Sequence, residues 1–346
     1  MPSTPNGDVT HPFCSAPEPG EALAVAPGVL WIRLSLPFQL DHINLWALDG
    51  GEAGWTLVDT GLGDRRTRES WERLLTTVLA DKPVRRVVVT HFHPDHIGAA
   101  DWLVRRTGAE FAASLTEWLI AQMLAAGPSP AFDAAAERFY RRSGLDADPL
   151  AAVLGRQGAY ARGVPGVPAV LTRLRAGDRL AVGSTRWTVI GGGGHTAEPV
   201  SLHDEAGGLL ISGDQILPRI SPNISVWPTE PDADPLADYL ASLEAWSALP
   251  ADTLVLPSHG LPFRGLHARA AELAGHHRAR LEEILEFCGA PRTAAAVTRR
   301  LFDRPLDPHQ MVFAIGEAIA HLNHLIRRGD LAREAGPDGI DLYRRR

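Results

Sequence analysis

The stretch Thr90-His-Phe-His-Pro-Asp-His-Ile-Gly98 decides how the rest of the chain is read. It places His91, His93, Asp95 and His96, three imidazoles and a carboxylate, within six residues. Ahead of it, Arg86-Val-Val-Val89 is a β-branched run that predicts a buried strand. Side chains two residues apart on an extended exit from a strand point the same way, so His91 and His93 can close on one ion. Pro94 then redirects the chain, and Asp95 and His96 can face a neighbouring position. A metal site is the expectation.

Three groups downstream repeat the pattern of an apolar strand ending in a donor. Trp187-Thr-Val-Ile190 runs into four glycines and His195, and Gly208-Leu-Leu-Ile-Ser-Gly213 ends at Asp214. Thr253-Leu-Val-Leu256 ends at Pro-Ser-His259-Gly, and earlier Trp55-Thr-Leu-Val58 leads into Asp59-Thr-Gly61. In layered α/β architectures the edge beyond the strands is where sites are built. Each group alone is weak; together with the first motif they supply enough donors for two metal ions sharing a carboxylate.

The set H91-x-H93-x-D95-H96, His195, Asp214 and His259, with Asp59 in V-D-T-G, resembles the metallo-β-lactamase superfamily, and within it the glyoxalase II-like hydrolases. The resemblance spans roughly residues 22–275. It implies that His91, His93 and His195 bind a first metal, that Asp95, His96 and His259 bind a second, and that Asp214 bridges. Asp59 resembles the family's carboxylate that orients a ligand without binding metal. The implied fold is an αβ/βα sandwich, two sheets face to face with helices outside, a form of α/β protein with which alternating strands and helices agree.

Composition narrows the field. With 346 residues and 45 % apolar content the chain can bury a sizeable core, in one large or two modest domains. The net charge of −7 gives no global attraction to nucleic acid or anionic membrane. Only Cys14 and Cys288 occur, so neither a disulfide framework nor a thiolate metal site is expected. The N-terminus shows no signal-peptide pattern and no run reaches membrane-spanning length, which points to a soluble cytoplasmic protein.

Along the chain, residues 1–21 read as a flexible tail rich in Pro, Ser and Gly. Strands are expected at Val29–Leu34 and Ile43–Leu48, with His42 a candidate for the pocket border or a structural histidine. A helix is expected over Arg65–Ala80. Residues 104–172 read as a helical insert, either a wall of the substrate pocket or a layer on the sandwich exterior. After Asp214, a proline-punctuated loop offers Arg219, Asn223 and Trp227 as pocket residues, Arg219 suiting a carboxylate or phosphate.

Residues 276–346 look separate: a helix near Thr293–Phe302, a second begun by Asp307-Pro-His-Gln310, and a hairpin around Gly-Pro-Asp-Gly339. Helix, helix, hairpin resembles the winged helix that some superfamily members carry at this position. Residues 288–346 hold ten Arg against seven carboxylates, a net +3 too dilute for a basic stripe. Nucleic acid is therefore possible but not favoured as a partner, and an interface, such as one between copies of this chain, or a pocket-edge role is preferred.

The chemistry follows from the donors. Two cations about 3.5–4 Å apart lower the pKa of a shared water towards ~7 and make hydroxide available at neutral pH. Imidazoles and carboxylates suit Zn²⁺ first, and Fe or Mn accept the same set. Asp95 is the candidate to orient that hydroxide and relay its proton. The glyoxalase II-like resemblance implies a thioester or related ester or lactone, of acyl-glutathione or acyl-CoA type, as the substrate. The alternatives are an endoribonuclease or phosphodiesterase using the C-terminal domain for nucleic acid, and a metal or redox sensor.

Overall fold

The computed structural model describes residues 9–156 and 158–346. A seven-stranded sheet holds, in spatial and sequence order, β1 (Ala22–Ala26), β2 (Val29–Ser35), β3 (His42–Asp49), β4 (Trp55–Val58), β5 (Val84–Val88), β6 (Glu110–Ala113) and β7 (Thr172–Arg173). Its first four strands are antiparallel and its last four parallel. A five-stranded sheet holds β8 (Arg179–Val182), β9 (Thr185–Gly191), β10 (Val200–Asp204), β11 (Leu209–Gly213) and β12 (Leu254–Pro257), with β12 at one edge and β8 at the other. A separate hairpin pairs β13 (Leu331–Ala335) with β14 (Asp341–Arg345).

The two large sheets pack face to face. Trp31, Trp46, Val58 and Val88 from the first meet Trp187, Val189, Leu202, Ile211 and Leu256 from the second in one buried cluster. Their neighbours on each strand point the other way: Ile32, Leu45, Val87 and Val89 lie under helices α1 (Arg65–Thr76), α3 (Ala100–Thr107) and α4 (Leu115–Ala125). The one-turn helix α2 (Pro94–Ile97) lies between α1 and α3 in the chain. Strands covered on both faces must be apolar at every position, which is why they read as continuous runs instead of alternating ones. This is the expected αβ/βα sandwich, with helices outside both sheets.

The insert region contains α4, α5 (Pro130–Arg142), α6 (Ala147–Leu154) and α7 (Ala159–Gly163). Behind the second sheet lie α8 (Pro235–Ala245), α9 (Leu266–Phe287), α10 (Ala294–Leu301) and α11 (Pro308–Arg328). The start of α11 is a capping box in which Asp307 and Gln310 satisfy each other's backbone N–H.

Two expectations change. Residues 1–8 of the proposed tail lie outside the described residues, but the tail does not extend to residue 21 as a free segment. Thr10 pairs with Arg264 through backbone hydrogen bonds, and the Phe13 ring packs edge-on against Trp31 at 6.2 Å. The division at 275/276 falls inside the unbroken helix α9. Residues from both sides share one core, in which Leu236, Tyr239, Trp246 and Phe263 join Ile315, Ile319, Leu322 and Tyr343. The helix–helix–hairpin order is present, yet most of α11 from Ala314 to Leu325 is buried, leaving only its first turns and its end more open.

Candidate metal centre

Every expected donor leaves the same edge of the sandwich. β5 delivers Thr90 to His96, β9 leads towards His195, β11 ends at Asp214, and β12 ends just before His259. Two groups form. One ligand atom from each of His91, His93, His195 and Asp214 lies within 4.8 Å of the others, and the same holds for Asp95, His96 and His259. Asp214 joins them: its Oδ2 is 3.5 Å from His195 Nε2, and its Oδ1 is 3.5 Å from both His96 Nε2 and His259 Nε2. Asp95 Oδ2 lies 3.4 Å from His259 Nε2 and 3.7 Å from His96 Nε2.

The outer nitrogens of these rings are tied down, which aims the inner ones. His96 Nδ1–H donates to Asp59 Oδ2 at 2.8 Å, and His195 Nδ1–H donates to the Asn223 carbonyl at 2.8 Å. His259 Nδ1–H donates to the His42 carbonyl at 2.7 Å. Thr90 Oγ1 stands 3.0 Å from His91 Nδ1 and 2.9 Å from Asp59 Oδ2, extending the same support to His91. Asp59 itself has φ +61°, a left-handed conformation that aspartate tolerates better than most residues. Its carboxylate thereby accepts from the Thr90 N–H at 2.8 Å while holding His96.

What remains are buried polar atoms with no hydrogen-bond partner among the described residues: His93 Nε2, His96 Nε2, His195 Nε2 and Asp214 Oδ1. Buried polar atoms left without a partner cost free energy unless something meets them, and those of His96, His195 and Asp214 converge here. Imidazole and carboxylate donors in two groups sharing Asp214 fit a pair of divalent ions. The charge pattern separates the groups. Burial, then the neighbouring imidazoles, keeps His91 well below its ordinary pKa and His93 at about 3, and burial also lowers His195, so this trio is neutral. Burial opposes charging His96 and His259 too, but the carboxylates beside them win, raising His96 well above its ordinary value and His259 to about 10. Those same rings outweigh burial to hold Asp95 at about 2 and Asp214 well below the usual carboxylate range.

The expected pocket residues have mixed placements. His42 is a brace: its Nδ1–H donates to Asp41 at 2.6 Å, its Nε2 accepts the Gly260 N–H at 2.9 Å, and its carbonyl holds His259. Asn223 serves the site through its main-chain carbonyl, while its side-chain amide donates to Glu317 Oε2 on α11 at 3.0 Å. Trp227 packs edge-on against Phe313 at 5.8 Å. Arg219 is exposed and makes no ion pair among the described residues. Glu117 was not anticipated. Fully buried on α4, it accepts the Phe92 N–H at 2.9 Å and the Glu198 N–H at 2.7 Å, so one carboxyl spans the His91–His93 turn and the His195 loop. In sequence it looks like the third residue after an ordinary Ser114 helix cap, a role it also has.

Comparison with known proteins bears on the whole chain. The model of the metallo-β-lactamase superfamily matches residues 39–259, and that of the metallo-β-lactamase-like C-terminal domain matches residues 281–346. A Bacillus subtilis protein named "Probable metallo-hydrolase YqjP" is 27 % identical over 308 residues, covering 86 % of this chain and 92 % of that one. A β-lactamase domain protein from Burkholderia ambifaria has 44 % identity and a TM-score of 0.92, over 99 % of both chains. A metallo-β-lactamase family protein from Thermus thermophilus has 30 % identity and a TM-score of 0.78, over 93 % of this chain and 100 % of that one. With its sandwich, its two bridged donor groups and both family models in register, the chain belongs to the metallo-β-lactamase superfamily.

Proposed function

We propose that this protein is a dinuclear metal-dependent hydrolase acting on a thioester or a related ester or lactone, of acyl-glutathione or acyl-CoA type. The observation that carries the hydrolase reading is Asp214, whose two oxygens face the two donor groups separately. His91, His93 and His195 would hold one ion, Asp95, His96 and His259 the other, with Zn²⁺ the expected metal. When bound, such a pair supplies Lewis acidity for a carbonyl and lowers the pKa of water towards ~7.

The chain's own contribution is position and proton handling. Asp59, Asn223 and His42 fix the ring orientations from behind, so the inner nitrogens need no reorganisation. Asp95 keeps a charged oxygen on the open side of the second group, where it can orient a water and accept its proton. It is less enclosed than His96 or His259, its side chain being 19 % exposed.

A thioester or ester is favoured over a nucleic acid because the C-terminal helix that could enter a groove is packed into the core. The B. subtilis relative's name supports the hydrolase class. The test is thiol release from a panel of acyl-glutathione and acyl-CoA thioesters by metal-loaded protein, with Asp95→Ala as the blank. Release that disappears in the variant supports the reading. Silence across the panel and across lactones, with metal bound, overturns it.

A further inference from the structure

Four aromatic rings from three distant segments form a continuous series that reaches the Asn223 support of His195. Phe38, in the loop between β2 and β3, stacks on His309 of α11 at 5.8 Å and 24°. His309 meets Phe313 edge-on at 5.0 Å, and Phe313 meets Trp227 edge-on at 5.8 Å. Gln310 Nε2 donates to Gln39 Oε1 at 3.1 Å, tying α11 to the Phe38 loop a second time.

The series is anchored to ligand supports at two points. The Phe313 carbonyl accepts from Ser225 Oγ at 3.1 Å, beside Asn223, whose own carbonyl holds His195. Phe38 lies four residues before His42, whose carbonyl holds His259. The rings therefore connect the supports of a ligand in each donor group, and they stay open to solvent: Phe38 is 49 % exposed, while His309, Phe313 and Trp227 are half-buried.

A cation belongs to the same place. Arg156, in the segment after α6, donates from Nη2 to His309 Nδ1 at 3.1 Å. That contact fixes the proton of the neutral ring on Nε2, and burial with the Arg156 charge keeps His309 below its ordinary pKa. Arg156 is half-buried and pairs with no carboxylate among the described residues. A ring surface beside a guanidinium that makes no direct ion pair, with the Asp307 carboxylate within its electrostatic reach, suits a ligand with a flat or apolar body and an anionic group.

We propose that α11 is a wall of the substrate site, where Phe38, His309, Phe313 and Trp227 take the apolar or aromatic acyl part of an ester or thioester and Arg156 meets a carboxylate or phosphate on the same molecule. The role in catalysis rests on the hydrolase reading above; the binding surface does not. It gives the C-terminal region a function in this active site, supplied by a helix that the sequence placed in a separate domain.

The test uses thioether analogues, which cannot be hydrolysed, with a phenylacetyl-sized or a methyl body and a terminal carboxylate or its neutral amide. Binding to the full chain is measured by calorimetry, next to turnover of the matching thioesters. The aromatic carboxylate should bind wild type best. Phe313→Ala, Phe313→Leu and Phe38→Ala should each weaken it about three- to tenfold, the range of one aromatic contact. The leucine variant retains bulk, so a loss it shares with alanine belongs to the ring. Arg156→Gln should remove the preference for carboxylate over amide and leave the aromatic preference.

Equal binding of all four analogues by wild type, or unchanged binding in the ring variants, overturns the proposal even if thioesters are hydrolysed. Ring- and Arg156-dependent binding without hydrolysis of any ester sinks the hydrolase reading and keeps the binding surface.

Discussion

Glu117 Oε2 accepts the main-chain N–H of Phe92 at 2.9 Å, so a buried carboxyl on α4 grips the peptide between the two histidines that open the ligand motif. Its other oxygen takes the Glu198 N–H at 2.7 Å, three residues past His195. Burial raises its pKa to about 7 against the pull of these two N–H donors. Glu117→Gln keeps one carbonyl acceptor but turns an NH₂ towards the second N–H, so one loop is released. The expected result is a loss of metal affinity of roughly tenfold for Gln and more for Ala, within the range known for groups that support ligands. Ala should also cost about 1–3 kcal/mol of stability for the N–H groups left buried. Chelator competition and thermal melts check this; wild-type affinity in Glu117→Ala would remove the bracing role.

Asp59 separates two effects that one alanine would mix. Asparagine tolerates φ +61° and can keep an oxygen on His96, but its NH₂ confronts the Thr90 N–H or hydroxyl. Alanine loses both contacts and adds about 1 kcal/mol of left-handed backbone strain. Activity should fall about 10- to 100-fold in Asp59→Asn with little change in melting temperature, and further in Asp59→Ala with a lower melting temperature. Equal melting temperatures and equal rates for both variants would contradict this account.

The donors were legible because each is announced locally, by an apolar strand followed by His or Asp and a Gly or Pro. Asp59 carried the same signature. What supports them was not legible, because much of it is backbone: the carbonyls of Asn223 and His42 have no side-chain signal, and their contacts with His195 and His259 span 28 and 217 residues. Glu117 was hidden under a helix-capping pattern that accounts for it without a second role. The strands β6, β8 and β10 are short and carry Glu, Arg, Ser, His or Asp among their apolar residues, so they escaped a search for apolar runs. The C-terminal region looked independent because its helices have good local start and stop signals. Such signals say where a helix begins, not what covers it, and Ile315 and Ile319 are covered by the catalytic body.

Loading with metal should release protons unequally from the two donor groups. Ligand nitrogens bind metal only when unprotonated. His91, His93 and His195 sit below their ordinary pKa and are neutral at pH 7, so an ion entering that trio displaces almost no proton. His96 and His259 are raised, the latter to about 10, so an ion entering between them must expel up to two. Affinity for that ion should therefore climb steeply with pH through neutrality, whereas affinity for the first stays flat above about pH 6.5, the ordinary histidine value. Stepwise titration of metal-free protein in weak buffer, with a pH indicator, measures the release per equivalent. Equal release for both equivalents contradicts the assignment.

Acid stability should depend on a histidine pair outside the ligand set. His277 Nδ1–H donates to His321 Nε2 at 3.1 Å, and His321 Nδ1–H donates to the Glu317 carbonyl at 2.8 Å, an arrangement that requires a neutral His321. Burial holds His277 at about 2 and His321 at about 4, below the unfolded value near 6.5. Between about pH 6.5 and 4 the unfolded chain therefore binds more protons than the folded one, and stability falls as pH falls. The slope is at most about 1.4 kcal/mol per pH unit per histidine. The double variant His277→Leu/His321→Leu removes both groups, so its stability in denaturant should decline less between pH 6.5 and 4.5 than that of wild type. The ligand histidines titrate in both proteins, and with chelator present in both the difference between the slopes isolates this pair. Parallel slopes would show that it stays neutral in the unfolded chain as well or charges in the folded one.

Deleting the C-terminal region should unfold the catalytic body instead of trimming an appendage. Ending the chain at residue 287 removes Ile315, Ile319, Leu322 and Tyr343 from the cluster that also contains Leu236, Tyr239, Trp246 and Leu273. Fully burying one such side chain contributes roughly 1.5–3 kcal/mol, and a domain's whole margin is about 5–15 kcal/mol. Losing several at once exhausts that margin and exposes an apolar face along α8 and α9. The truncated chain is expected to be insoluble, or to show no cooperative melt and bind no metal at the wild-type stoichiometry. A soluble fragment with a sharp melt and two bound ions would mean that the region is a separable domain after all.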